Sequence, residues 1–178
     1  MHFPLSFSSM KTLTLLRHAK SDWSNAGLHD HDRPLSARGR SEIPTIAKCI
    51  RGANIRPSLI VTSSAIRARE TARILAAELG FPAEFIQQEK SAYLATAEQL
   101  KKMIAVQDDG FNSIIIIGHN PGLSDLAQEL LPCSAESLPT CGVFAMELDM
   151  DSWGLLDGAK AKMLLKKKPE LAINNNGN

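Results

Sequence analysis

Short apolar runs occur at intervals along this chain and alternate with stretches of helical periodicity. The plainest run is Ile114 to Ile117. Continuous β-branched residues are typical of a strand that is buried on both faces of a sheet. The runs predict strands at residues 12–16, 59–62, 83–86, 113–117 and 143–148, with a weaker strand at residues 162–165.

Between these runs, apolar residues recur at i, i+3, i+4 and i+7, the spacing of one face of a helix. Pro44 lies inside the first of these stripes and predicts either a kink or a later start of that helix. The three stripes, each expected to face the sheet, are Ile43, Ile46, Ala47 and Ile50; Ala72, Leu75, Ala76 and Leu79; and Leu123, Leu126, Ala127 and Leu130.

Several polar and small residues mark helix ends. Thr96 and Gln99 have the spacing of a capping box, and Gly80 predicts a helix stop. Asn120 and Pro121 predict the N-cap and the first residue of another helix. Helices that alternate with strands indicate βαβ units. The fold class is therefore α/β, a three-layer α/β/α sandwich with a mostly parallel central sheet.

The chain has 178 residues, of which 44% are hydrophobic and 22% are charged. This is the size and composition of one globular domain. We expect a leader at residues 1–10, a single domain at residues 11–168 and a polar tail at residues 169–178.

The formal net charge of +1 gives no general attraction for nucleic acid or for an anionic membrane. No stretch approaches the roughly 20 apolar residues that a membrane span needs, and the first residues lack the pattern of a secretion signal. Three cysteines without a CxxC pair argue against a disulfide framework and favour a reducing compartment. We therefore expect a soluble cytoplasmic protein with neither a nucleic-acid nor a membrane partner.

Basic residues follow three of the predicted strands. Arg17 and His18 come after the first strand, Arg67 follows the second, and His119 follows the isoleucine run. The carboxyl ends of parallel strands share one edge of a sheet, so these side chains are expected to converge. A guanidinium group binds two phosphate oxygens at once through two parallel hydrogen bonds. An imidazole is a competent nucleophile at neutral pH. The residues alone do not decide which histidine is the nucleophile.

Four segments together resemble the histidine phosphatase superfamily, which includes the phosphoglycerate mutases. They are R-H-A-K-S at residues 17–21, D-R-P-L-S-A-R-G at 32–39, S-S-A-I-R-A-R-E-T-A at 63–72 and G-H-N-P-G at 118–122. The resemblance implies a phosphoglycerate mutase-like fold and a phosphatase that needs no cofactor and no metal. It also implies that His18 becomes phosphorylated, that Arg17 and Arg67 bind the phosphoryl group, and that His119 stabilises the transition state.

Within the superfamily, the short length and the D-R-P-L-S and H-N-P-G segments are most similar to SixA-type protein phosphohistidine phosphatases. Branches that act on phosphomonoesters usually open with R-H-G-E-S-x-W-N and take a proton donor from after the third strand. Here Lys20 replaces that glutamate and Ser24 stands in place of the asparagine. Glu89 is the nearest carboxylate to the expected place, but its context differs, so the acid stays unassigned.

This resemblance predicts hydrolysis of a phosphohistidine on a protein partner. Two alternatives stay open: a phosphatase for a small phosphorylated metabolite, which would need a carboxylate such as Glu89, and a non-catalytic phosphoryl-binding module. Arg33 either contacts the substrate phosphoryl group or pairs with Asp32 at a turn.

Two other charged segments have competing interpretations. The run His29, Asp30, His31 and Asp32 is either an ordinary polar loop or, with His18 and His119, a set of metal ligands. The polar loop is favoured, since alternate residues in a loop need not converge. Lysines near the carboxyl terminus, at 160, 162 and 166–168, form either a solvated edge, which is favoured, or a docking surface for an acidic partner.

Overall fold

The computed structural model describes residues 10–132 and 136–170. Most of the predicted leader, residues 1–9, and the predicted tail from residue 171 lie outside the described residues. The strands within the described residues are β1 (Lys11–Arg17), β2 (Leu59–Ser63), β3 (Ile86–Glu89), β4 (Ser113–Gly118), β5 (Val143–Leu148) and β6 (Ala161–Lys167). The helices are α1 (Ala37–Gly52), α2 (Ile66–Leu79), α3 (Ala97–Ala105) and α4 (Gly122–Leu130).

The strands form one mixed sheet in the order β3-β2-β4-β1-β5-β6. The first four strands of this order, β3, β2, β4 and β1, run parallel to one another. Strand β5 is antiparallel to β1, and β6 is antiparallel to β5. This confirms the α/β class with a mostly parallel sheet. The described residues contain no helix that is long and apolar enough to cross a membrane.

The isoleucines of β4 explain why the sheet is covered on both faces. Ile114 and Ile116 belong to one buried core, and Ile115 and Ile117 belong to the other. Side chains alternate between the two faces of a strand, so a continuous apolar run supplies both cores at once. Each fully buried isoleucine contributes roughly 1.5–3 kcal/mol to stability. Helices α3 and α4 cover the first face and helices α1 and α2 cover the second.

The start of helix α1 packs against the segment that follows β1. Ser36 is its N-cap and accepts a hydrogen bond from the backbone N–H of Gly39 at 3.0 Å. A Cβ at Gly39 would overlap the backbone of Lys20. Glycine at this position of the D-R-P-L-S-A-R-G segment therefore lets the helix pack directly against the residues that follow His18.

A second glycine permits a similar approach near α4. A Cβ at Gly122 would overlap the carbonyl oxygen of Ala95. The last glycine of G-H-N-P-G thus brings the segment after His119 into backbone contact with the segment that precedes α3.

Two predicted helix-end signals are confirmed, and one is wrong. Thr96 and Gln99 form the capping box of α3, and Gly80 ends α2 with φ +69°. Asn120 does not cap α4, which begins one residue later than predicted, with Pro121 in the N-cap position. The Asn120 side chain instead donates to Leu138 O at 2.8 Å, so it holds the loop before β5.

Two other boundaries differ from the sequence prediction. Residues 83–85 form an exposed 3-10 turn, and β3 begins at Ile86, which pairs with Ile60 of β2. Strand β3 therefore begins where hydrogen bonding to β2 begins. Helix α1 starts before Pro44 rather than after it, so the predicted later start is wrong.

Candidate active site

The carboxyl ends of β1 and β4 lie side by side and position two histidines. Arg17 pairs with Gly118, and the backbone N–H of His18 donates to the carbonyl of Gly118 at 3.1 Å. His18 and His119, the next residues of the two strands, have ring centroids 5.0 Å apart. Arg67 reaches them from the first turn of α2. The predicted convergence at this edge of the sheet is confirmed.

His18 is buried, with 7% of its surface exposed, and its orientation is fixed by the backbone. Its Nδ1 lies 2.8 Å from the carbonyl oxygen of Ala19, which can only accept, so Nδ1 carries the hydrogen. Burial and the charges of Arg67 and Arg17 lower the pKa of His18 to about 4, although the Ala19 hydrogen bond acts in the opposite direction. The neutral ring therefore presents an unprotonated Nε2, the nucleophilic form, to the site at pH 7.

His119 is held from the other side by a serine that the sequence analysis did not single out. Its Nε2 lies 2.7 Å from the hydroxyl of Ser63, and Arg67 Nη2 lies 3.4 Å from its Nδ1. Since the guanidinium can only donate, Nδ1 accepts and Nε2 donates to Ser63. Burial, followed by the nearby His18 and Arg67, lowers the pKa of His119 to about 3.

Arg67 connects these rings to a carboxylate. Its Nε donates to His18 Nε2 at 3.2 Å, and its Nη2 donates to Asp30 Oδ2 at 2.8 Å. Its Nη1 donates to the main-chain oxygen of Asp30. Arg67 is only 4% exposed. The guanidinium thus binds both the histidine pair and the loop that carries Asp30.

Asp30 accepts hydrogen bonds from three side chains. Besides Arg67, Arg33 Nη1 donates to Oδ1 at 2.9 Å and Tyr93 Oη donates to Oδ2 at 2.8 Å. Partial burial opposes ionisation, but the hydrogen bonds from Tyr93 and Arg67 and the positive charges lower the pKa of Asp30. The carboxylate is therefore ionised at neutral pH. Sequence reasoning placed Asp30 only in a polar run with two interpretations and did not detect this role.

Tyr93 is the second residue that the sequence analysis missed. Its ring stands perpendicular to His119, with centroids 5.3 Å apart, and makes an edge contact with His31 at 5.0 Å. It follows β3 by four residues, so it comes from the part of the fold where the sequence analysis looked for a proton donor. The position after β3 was the available signal, but the search there was limited to carboxylates and passed over the tyrosine hydroxyl.

Arg17 has a donor that faces no acceptor. Its Nη1 donates to the carbonyl of Leu138 at 3.0 Å. Its Nε is buried and has no hydrogen-bond partner among the described residues. Burial and the neighbouring Arg67 lower the pKa of Arg17. A guanidinium with a spare donor in the residue directly before His18 is suited to bind an oxygen of an anion.

Arg33 lies in the site but is held by the protein. Its Nε donates to the carbonyl of Asp22 at 3.1 Å, its Nη2 donates to the hydroxyl of Ser21 at 2.5 Å, and Trp23 stacks on the guanidinium. Its ion pair is with Asp30, so the alternative pairing with Asp32 is wrong, and Asp32 contacts His31. Contact of Arg33 with substrate stays a prediction, and these bonds favour a positioning role.

Glu89 lies apart from this cluster, whereas His31 borders it through Tyr93. Glu89 accepts a hydrogen bond from Gln87 at 2.8 Å, and no contact in the described part of the chain joins it to His18 or Arg67. His31 contacts the hydroxyl of Ser64 and the carboxylate of Asp32. Among residues 10–132 and 136–170, no three His, Cys, Asp or Glu side chains are grouped as ligands of a metal ion.

Known proteins resemble this chain in sequence. The model of the histidine phosphatase superfamily (branch 1) matches residues 13–92. An uncharacterized chloroplastic protein of Arabidopsis thaliana is 33% identical over 156 residues, which cover 83% of this chain and 71% of that protein. A 2,3-bisphosphoglycerate-dependent phosphoglycerate mutase of Thermobifida fusca is 40% identical over 73 residues, 40% of this chain and 30% of the mutase.

A solved structure extends the similarity to almost the whole fold. The crystal structure of the putative phosphohistidine phosphatase SixA from Agrobacterium tumefaciens superposes with a TM-score of 0.74 at 27% identity. The match covers 90% of this chain and 99% of that one. The arrangement of strands and helices is therefore the phosphoglycerate mutase-like one that the sequence motifs implied.

Proposed function

Because this chain belongs to the histidine phosphatase superfamily, we propose that it hydrolyses protein phosphohistidine through a phosphorylated His18. The family and the structural neighbours indicate a phosphatase. The observation that carries the proposal is the tautomer of His18, whose Nδ1 is bound by Ala19 O while Nε2 faces Arg67. A nucleophile needs an unprotonated lone pair, and His18 Nε2 has one, which accepts the hydrogen bond from Arg67 until the substrate replaces that contact.

In the first step, His18 Nε2 forms a bond to phosphorus and the bond from phosphorus to the leaving group breaks. The leaving group keeps the electron pair of that bond. In this proposal Arg17 and Arg67 bind the phosphoryl oxygens, and the substrate displaces the hydrogen bond that joins Arg67 to His18. In this scheme His119, whose ring centroid lies 5.0 Å from that of His18, donates to a phosphoryl oxygen once its Nδ1 is protonated. An approaching phosphoryl dianion favours that protonation, since it opposes the repulsion by the neighbouring cations.

In the second step, water attacks the phosphorylated His18, the P–N bond breaks, and inorganic phosphate leaves. The electron pair returns to Nε2, and the neutral ring is restored. Positioning and charge stabilisation account for catalysis here, so we propose that neither a metal nor a cofactor takes part.

The leaving group decides between the two candidate substrates. An alkoxide leaves well only if it receives a proton, whereas a phosphorylated imidazole that is protonated on its second nitrogen leaves as a neutral ring. Asp30 is ionised at neutral pH and accepts hydrogen bonds from its neighbours, so it is a poor proton donor. This chemistry favours phosphohistidine. The similarity to a putative phosphohistidine phosphatase supports the same substrate.

The test is release of inorganic phosphate from a phosphohistidine-bearing protein and from a panel of small phosphomonoesters, with a metal chelator present. We expect faster turnover of the phosphoprotein, and we expect His18→Ala to lose it by about 10⁴-fold or more because the covalent route is closed. Full activity of that variant would refute the assignment of the nucleophile. Activity that disappears with the chelator would refute metal independence.

A small phosphomonoester is the second candidate substrate, and the similarity to a phosphoglycerate mutase over 73 residues favours it. This candidate needs a proton donor, for which Glu89 has the expected place after β3. Glu89→Gln should then abolish ester hydrolysis. Under our proposal the same variant keeps wild-type turnover of the phosphoprotein, since Glu89 contacts Gln87 and not the histidine pair.

The cellular setting is the last part of the proposal. We propose a cytoplasmic protein whose partner carries phosphohistidine. The three cysteines without a CxxC pair support a reducing compartment. Fractionation of cells that express the protein would test the location.

A further inference from the structure

Asp30 and Tyr93 form a pair at the opening of the site. Tyr93 Oη donates to Asp30 Oδ2 at 2.8 Å, and Arg67 donates to the same oxygen and to His18. The path from His18 Nε2 to Asp30 therefore consists of one guanidinium and two hydrogen bonds. A single residue, Arg67, thus separates Asp30 from the nucleophilic nitrogen.

The Asp30 carboxylate has capacity for one more donor. Two carboxylate oxygens offer about four acceptor positions. Arg67 and Tyr93 occupy Oδ2, and Arg33 occupies one position on Oδ1. The side chain is 48% exposed, so a group that enters from solvent can approach the carboxylate.

Tyr93 adds an aromatic wall to the same opening. The ring is half-buried and stands perpendicular to the rings of His119 and His31. A carboxylate beside an aromatic ring is suited to a flat cation, because the first neutralises its charge and the second contacts its face. An imidazolium is a flat cation with an N–H to donate.

We propose that Asp30 and Tyr93 bind the leaving group, and that they select an N-phosphorylated imidazole over a phosphomonoester. This inference rests on the proposed function, since it names the part of the site that recognises phosphohistidine. Asp30 touches the substrate in this role, and Tyr93 orients the carboxylate.

The chemical step balances without an added proton donor. The substrate ring carries phosphorus on one nitrogen and hydrogen on the other, and Asp30 accepts a hydrogen bond from that N–H. When His18 Nε2 bonds to phosphorus, the P–N bond of the substrate breaks and its electron pair stays on the leaving nitrogen. The product is a neutral imidazole that keeps its N–H. A departing alkoxide offers no N–H, and its developing negative charge is repelled by Asp30.

A purely structural role for Asp30 makes a different prediction. If the carboxylate only holds Arg67 in place, its loss weakens phosphoryl binding for every substrate equally. Selection of the leaving group instead changes the ratio of two substrates. The ratio of kcat/KM for a phosphohistidine-bearing protein to kcat/KM for p-nitrophenyl phosphate therefore separates the two roles.

The test compares Asp30→Asn with Asp32→Asn. Both changes remove one negative charge from the same loop, but Asp32 contacts His31 rather than Arg67. We expect the ratio to fall about tenfold or more in Asp30→Asn and to stay within about twofold in Asp32→Asn. An equal fall for both substrates in Asp30→Asn, or an equal change of ratio in both variants, would overturn the proposal.

A second variant covers the case in which Asp30→Asn does not fold. Tyr93→Phe keeps the ring and removes only the hydroxyl that orients Asp30. We expect a smaller fall of the same ratio, and an unchanged ratio would overturn the proposal. Wild-type protein that cleaves p-nitrophenyl phosphate but not the phosphoprotein would instead contradict the proposed function, which keeps the two failures apart.

Discussion

The two sides of the site are built differently. The strand-end side consists of Arg17, His18 and His119, which follow β1 and β4, and both histidines are buried and oriented by hydrogen bonds from deep in the fold. The loop side consists of Asp30, Arg33 and Tyr93, which are joined to one another by side-chain hydrogen bonds. Asp30 has a 48% exposed side chain, whereas His119 is 4% exposed.

Under the proposed function, the strand-end side performs the chemistry and the loop side selects the leaving group. A nucleophile needs a fixed tautomer and position, which neighbouring parallel strands provide because their backbones are held by the sheet. A group that discriminates between leaving groups must meet the substrate as it enters, so it belongs on an exposed loop. Arg67 hydrogen-bonds to both sides, so a change on one side can reach the other through its guanidinium.

Among the changes that test this comparison, replacement of Arg67 has the largest expected effect. Arg67→Lys keeps the positive charge but replaces a planar fork by one ammonium, which cannot contact His18, Asp30 and His119 together. Each lost charge-assisted hydrogen bond costs about 1.5–3 kcal/mol, so we expect kcat/KM to fall by about 10²–10³-fold. Steady-state kinetics with the phosphoprotein would measure it. Arg69→Lys on the same helix is the matched control, and an equal loss there would show a general effect on α2.

Acidification should lower the free energy of unfolding first through the two histidines of the strand-end side and only at lower pH through Asp30 of the loop side. Burial holds the pKa of His18 at about 4 and that of His119 at about 3, while an unfolded histidine titrates near 6.5. Below about pH 6.5 the unfolded chain binds protons that the folded protein does not. The free energy of unfolding therefore decreases as the pH is lowered. The loss is up to about 1.4 kcal/mol per pH unit from each ring. Asp30 has a lowered pKa, so its contribution persists down to about pH 4, where unfolded carboxyls begin to protonate.

Urea unfolding at pH 7 and pH 5 would measure this slope. His119→Gln removes one of the two titrating rings and keeps an amide that can donate to Ser63. The variant should therefore lose less stability than the wild type between the two pH values. An identical slope in both proteins would contradict the assignment of the acid sensitivity to the buried rings.

The smallest expected effect lies at the outer end of the loop side. Trp23 is 72% exposed, and Arg33 lies 3.1 Å from its ring centroid. An exposed cation–π contact is worth about 0.5–1 kcal/mol, so Trp23→Leu should lower kcat/KM for the phosphoprotein about two- to fivefold by loosening Arg33. Phe85→Leu changes another exposed aromatic outside the site and should leave the rate unaltered. A similar loss in both variants would remove Trp23 from the site.

The fold was largely predictable because its signals are local. The isoleucine run in β4 and the apolar stripes of α1, α2 and α4 show which residues are buried from a short stretch of sequence alone. The start of β3 was not predictable in this way, since it depends on where β2 pairs with it. The role of Asn120 was also hidden, because its side chain bonds to Leu138 in a different segment.

The same reasoning explains what was found and missed in the site. His18, Arg17, Arg67 and His119 each lie just beyond a strand, and the motifs around them are continuous in sequence. Asp30 and Tyr93 are 63 residues apart, and no local pattern records the hydrogen bond between them. Ser63 was missed because a serine at a strand end has many ordinary uses. Contacts between distant polar residues therefore need the structure.

The close approach of Gly122 to Ala95 has a consequence for redesign of the site. Ala95 comes two residues after Tyr93, and Gly122 comes three residues after His119. The backbone contact between them couples the spacing of the aromatic wall to that of the catalytic loop. A side chain introduced at position 122 would push the two backbones apart and move Tyr93 relative to His119, so a redesign of specificity has to keep glycine there.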